Sequence, residues 1–124
     1  MTTKRKSSKS PTQRALAELK KLGYLTAIVE RWNPYAKIRQ DLWGWCDILY
    51  LTDSSIVGLQ ITSGANHAAR REKILAEPRA LAWIKAGGIV EVWSVAKQGA
   101  RGEAKAWVIR KEEIVEADFT QEVQ

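Results

Sequence analysis

The sequence predicts an α/β (α+β) domain built on one mixed sheet, with element order α-β-β-β-α-β-β. Helix-period apolar stretches alternate with short runs of β-branched and aromatic residues. Glycine and proline fall at the joints between them. The 124 residues, 45% hydrophobic and 27% charged, suffice for one hydrophobic core.

Ser10-Pro11 reads as an N-cap followed by proline at the first helical position. The helix runs to Leu22, buries Ala15, Leu16, Leu19 and Leu22, and stops at Gly23. A strand follows from Tyr24 to Trp32 and breaks at Asn33-Pro34; Lys37 to Gln40 reads as a basic, irregular segment. Strands are expected at about Trp45–Leu51 and Ile56–Thr62, joined by Thr52-Asp53-Ser54-Ser55. Ser63-Gly64 leads into a helix over about Ala65–Ala76, which Pro78 restarts as a second piece to about Lys85. Gly87-Gly88 ends it, and strands follow at Ile89–Ala96 and Lys105–Arg110. Residues 1–9 read as a disordered basic arm, 10–114 as one domain, and 115–124 as an acidic tail.

Net charge is +6, with Lys4, Arg5, Lys6 and Lys9 concentrated in the arm. That balance favours a polyanionic partner, most simply nucleic acid. No apolar run approaches the roughly 20 residues that span a bilayer, and no apolar signal core follows the arm. The expectation is no membrane and a cytoplasmic setting. The single cysteine, Cys46, has no partner for an intramolecular disulfide and reads as a small buried hydrophobe. Gly-rich phosphate loops, zinc-finger spacing and a Ser-His-Asp signature are absent from the sequence.

A two-residue turn at Asp53-Ser54 fixes the register of the central hairpin by counting outward. Leu51 then opposes Ile56, Leu49 opposes Gly58, and Asp47 opposes Gln60. Thr62 lies on the same face, two residues on. Asp47, Gln60 and Thr62 thus form one polar cluster at the end of an apolar hairpin. Their oxygen atoms suit Mg²⁺, Ca²⁺ or Mn²⁺; a capped turn with a local hydrogen-bond network is the alternative.

The stretch RQDLWGWCDILYL, followed by VGLQITSGANHAARREKI, resembles small phage-type open reading frames regarded as nuclease-like. More widely, Pro11 to about Ile109 resembles the PD-(D/E)xK nuclease superfamily, whose restriction-endonuclease-like fold includes the Holliday-junction resolvases. The resemblance implies a mixed sheet flanked by helices and metal-dependent DNA cleavage with Mg²⁺ or Mn²⁺. It also implies a homodimer in a prokaryotic or phage-infected cell. It places Asp47 as the metal-binding aspartate, Gln60 at the second acidic ligand, the Ile61 carbonyl as a further ligand and Thr62 at the lysine position. Asp41 or Glu30 would restore the missing carboxylate. Lys73, Arg70, His67 or Arg39 would replace the lysine. On the first helix, where the superfamily often adds a glutamate, the chain offers Glu18 and Gln13.

Asn66, Arg70 and Lys73 share a helix face and, with His67 and Arg71, are candidates to grip phosphates. Lys37 and Arg39 are candidates for backbone contacts. Trp43 and Trp45 share strand parity with Asp47 and are candidates for stacking on an unpaired base. Trp83, Trp93 and Trp107 read as core, and Gly44 as a tight bend. Three functions remain open: a metal-dependent DNA endonuclease, a non-catalytic DNA-binding member of the same fold, and a tryptophan-rich protein-interaction domain.

Overall fold

The computed structural model describes residues 9–120. The basic arm other than Lys9, and Glu122, lie outside them. The first helix, α1 (Pro11–Leu22), opens with a capping box: Ser10 Oγ accepts from the Gln13 N–H while Gln13 Oε1 accepts from the Ser10 N–H. Gly23 ends it at φ 81°, a left-handed conformation that a side chain would strain.

The expected strand over Tyr24–Trp32 is two strands. β1 (Leu25–Ile28) joins the main sheet, whereas β2 (Arg31–Asn33) pairs with β3 (Ile38–Gln40) in a separate hairpin. The break has a local cause. The Val29 and Glu30 N–H groups both donate to the Asp47 carbonyl, at 2.9 and 3.2 Å. Two donors on one acceptor mark a bulge, which bends the strand and re-aims its side chains. The segment expected to be irregular, Lys37–Gln40, is therefore mostly strand.

The hairpin of β4 (Ile48–Leu51) and β5 (Ile56–Ser63) has the expected register, with Leu51 opposite Ile56 and Leu49 opposite Gly58. A short 3-10 turn, Gly64–Asn66, leads to α2 (His67–Leu75) and α3 (Pro78–Lys85). These carry the chain over to β6 (Ile89–Gln98), parallel to β5. β7 (Ala106–Ile114) returns antiparallel, and α4 (Glu116–Thr120) follows. The five-stranded mixed sheet has order β1-β4-β5-β6-β7.

Alternation along β5 builds two cores. Val57, Leu59 and Ile61 pack with Ala15 and Leu19 of α1. The other face carries Trp45, Cys46, Ile74, Ala80 and Ile114. Phe119 is buried in that second cluster, so the chain stays packed on the body beyond residue 114. Among the described residues, no helix is long and apolar enough to cross a membrane.

Candidate metal site and cleft

Asp47 sits just before β4, where its N–H donates to the Leu59 carbonyl at 2.9 Å. Its side chain is buried on the sheet face shared with Gln60. Oδ2 accepts from Gln60 Nε2 and from the Ile61 N–H, both at 2.8 Å. The bulge brings in Glu30, and the segment after β3 brings in Asp41. Carboxylate oxygens of Glu30, Asp41 and Asp47 lie within 4.8 Å of one another, a cluster that can hold a metal ion.

Three carboxylates this close cannot all carry charge cheaply. Burial pushes the Asp47 carboxyl up to about 8, aided by a hydrogen bond to Asp41 and by the Asp41 and Glu30 charges; the Ile61 N–H opposes the rise. Asp41 moves the other way. Burial pushes it up, but hydrogen bonds from Asp47 and Lys73 and the charges of Lys73 and Arg70 outweigh that and hold it below its usual value. In the metal-free chain this arrangement favours the proton on Asp47 and the charge on Asp41.

Gln60 decides whether an ion fits. Its amide nitrogen is used by Asp47, yet among the described residues its buried Oε1 has no donor. An orphaned buried oxygen costs about 1–3 kcal/mol. With three carboxylates and this amide oxygen, the donors are all hard oxygens, the set that suits Mg²⁺, Mn²⁺ or Ca²⁺.

The cluster lies in a cleft of about 680 Å³ that is also lined by Arg39, Arg70, Lys73 and Arg79. Lys73 Nζ is 3.0 Å from Asp41 Oδ2, and Arg39 Nη1 is 3.4 Å from Glu30 Oε1. Arg70 and Lys73 share one face of α2, three residues apart. Acidic groups therefore alternate with cations that reach solvent.

The structure brings together Asp47, Gln60, Ile61, Asp41, Glu30, Arg39, Arg70, Lys73 and Trp43, all lining the cleft. It moves others elsewhere. Trp45 is fully buried, so it cannot stack on a base. Gly58 makes room for it: a Cβ there would sit 2.2 Å from the Trp45 ring. His67 is buried, with Nδ1 2.7 Å from Ser94 Oγ and Nε2 2.7 Å from Glu112 Oε1. Arg71 donates to Glu112 and Asp118, at 2.9 and 3.2 Å. Both residues are held by β6, β7 and α4, and neither lines the cleft. Ser94, His67 and Glu112 form a hydrogen-bonded chain, but Ser94 is only 3% exposed, which leaves its hydroxyl no access to a substrate.

Thr62 is buried on β5 and does not line the cleft. Asn66 donates to Ser63 Oγ in the turn before α2, and Lys37 sits in the β2–β3 turn; neither lines the cleft. Gln13 is occupied by its capping box, and Glu18 pairs with Lys111 Nζ at 2.6 Å. From α1 it is Thr12 that reaches the cleft. Arg79 was not foreseen; it sits in the first turn of α3, and no sequence spacing ties it to Asp47.

No protein family, curated protein or solved structure matches this chain.

Proposed function

We propose that the chain is a divalent-metal-dependent phosphodiester hydrolase acting on DNA, with Glu30, Asp41, Asp47 and Gln60 at the ion. One observation carries this reading: the carboxylate cluster and the cations Arg39, Arg70, Lys73 and Arg79 line the same cleft. The acids suit a hard cation, and the basic groups suit a backbone phosphate. Bound Mg²⁺ or Mn²⁺ would supply a water of lowered pKa and a counter-charge for the phosphate.

The resemblance to the PD-(D/E)xK nucleases supports the same chemistry. Gln60 lacks the second negative charge of that pattern, and Glu30 and Asp41 make up the deficit. Thr62 lacks the lysine ammonium. Lys73, whose Nζ already lies 3.0 Å from Asp41, takes that place in the proposed site. Arg70 and Lys73 would orient the phosphate, and Asp47 would hold the ion as a carboxylate. Thr62 also motivates the second reading, a DNA-binding protein of this fold without catalysis.

The test is to incubate the purified chain and its Asp47→Asn variant with labelled duplex, single-stranded and four-way-junction DNA, in Mg²⁺ and in Mn²⁺. Cleavage by the parent alone is the expected result. Binding without cleavage in either metal would replace hydrolysis with the second reading.

A further inference from the structure

Beside the acidic cleft stands a surface that metal chemistry does not need. Tyr35, at the tip of the β2–β3 hairpin, is 97% exposed, and Trp32 is 58% exposed. Large aromatic groups displayed together in this way mark a contact surface. The tip is built rather than loose. Asn33 Oδ1 accepts from the Tyr35 and Ala36 N–H groups at 2.9 and 3.1 Å, and Asn33 Nδ2 donates to Gln40 Oε1 at 3.3 Å.

Across from the hairpin is Trp43, also partly exposed. It adopts φ 54°, unusual for a bulky side chain, in a turn where Gly44 is left-handed too and the Trp45 N–H donates to the Leu42 carbonyl. Trp32, Tyr35 and Trp43 line a groove of about 390 Å³. The groove shares Gln40, Asp41 and Trp43 with the acidic cleft, so the two adjoin. From Arg31 through Gln40 the hairpin carries Arg31, Lys37 and Arg39 and no carboxylate. Arg31 lines the groove beside these rings and Arg39 lines the neighbouring cleft, a setting that favours a phosphate-bearing strand over an apolar protein face.

We infer that the β2–β3 hairpin is a base-stacking arm that holds an unpaired nucleotide of DNA beside the cleft, so that single-stranded or branched DNA is preferred over a blunt duplex. The inference rests on the hydrolase reading for the identity of the strand. Bases inside a duplex already stack on each other and offer no free face. An unpaired base can enter between Trp32, Tyr35 and Trp43 while its phosphate lies toward Arg39 and the cluster.

The test uses the full chain carrying Asp47→Asn, so that no strand is cut. Fluorescence anisotropy compares a labelled single strand with its blunt duplex. Adding Trp32→Ala or Tyr35→Ala should weaken single-strand binding about ten-fold and duplex binding less than about two-fold, while Tyr35→Phe keeps the affinity. Both side chains are exposed, so the fold should survive each change. Equal losses on both DNA forms, or none, would overturn the arm. So would sedimentation showing a dimer that Tyr35→Ala dissociates. Cleavage by the parent chain is read separately. Strand binding that needs the hairpin, with no cleavage in Mg²⁺ or Mn²⁺, would remove the hydrolase reading and leave the arm. Equal cleavage of duplex and single strand, unchanged by Tyr35→Ala, would remove the arm and leave the hydrolase.

Discussion

Gln60 donates from Nε2 to Asp47 Oδ2 at 2.8 Å while its own buried Oε1 has no donor among the described residues. The amide thus holds the carboxyl in place, and in the proposed site its other oxygen is the one offered to the cation. Gln60→Glu puts a carboxylate where the amide nitrogen now donates. Without metal, this variant should lose about 1–3 kcal/mol of stability through like-charge contact and a lost hydrogen bond. With Mn²⁺ it should gain more in melting temperature than the parent does. Calorimetric scans with and without Mn²⁺ check both halves.

Asp47 makes metal-free stability depend on pH in a defined direction. Its folded carboxyl is raised to about 8, well above the usual carboxylate range. The folded state therefore binds the proton more tightly than the unfolded chain. This contribution is complete below about pH 4 and is lost as pH rises through about 8. Asp41, held below its usual value, acts at the acid end instead: its contribution is lost as pH falls. Asn at position 47 can accept from Gln60 and Ile61 and donate to Asp41 without a titrating proton. Asp47→Asn should flatten the decline between pH 4 and pH 8, as denaturant melts across that range will show.

Lys73 reaches the cleft from α2 and pairs with Asp41. The side chain is partly exposed, so the pair adds at most about 1 kcal/mol to stability. If its ammonium meets the phosphate, Lys73→Met should lower the cleavage rate about 10²–10³-fold and leave the melting temperature almost unchanged. A rate within a few-fold of the parent would assign phosphate stabilisation to Arg70 or Arg39 instead.

Burial pushes the Cys46 thiol up to about 12, and the carboxylates of Asp47 and Asp41 add to the rise. A thiol protonated and enclosed in this way is a poor nucleophile. At pH 8 a disulfide reagent should react only as fast as the protein unfolds. Rapid modification of the native chain would mean that the core around Trp45 opens.

Gly58 allows Trp45 to lie against β5, and an added Cβ would meet the ring at 2.2 Å. Gly58→Ala should destabilise the fold by about 1–3 kcal/mol through overpacking. Denaturant titration measures it. Asp47 and Gln60 flank this contact, so metal affinity should fall as well.

The central hairpin was legible because its register follows from a two-residue turn and simple counting, which brought Asp47 and Gln60 face to face. Ser10, Pro11 and Gly23 likewise marked α1, because caps depend on local chemistry. Glu30 entered the sequence reading only as an alternative acid. What places it is a bulge, produced by one carbonyl taking two amides, and no residue pattern announces that. Trp45 has the parity of Asp47, but parity gives a face and not a depth; the room at Gly58 sets the depth. His67 and Arg71 looked like phosphate ligands because α2 was read alone. Glu112 and Asp118, far along the chain, claim them.

The most direct measurement is a calorimetric titration of Mn²⁺ into the parent chain and into Asp47→Asn at pH 8, with circular dichroism to verify the fold of each. The acidic cluster predicts binding by the parent and its loss in the folded variant. Equal binding by the two proteins, or none by either, would contradict a metal site at Glu30, Asp41, Asp47 and Gln60.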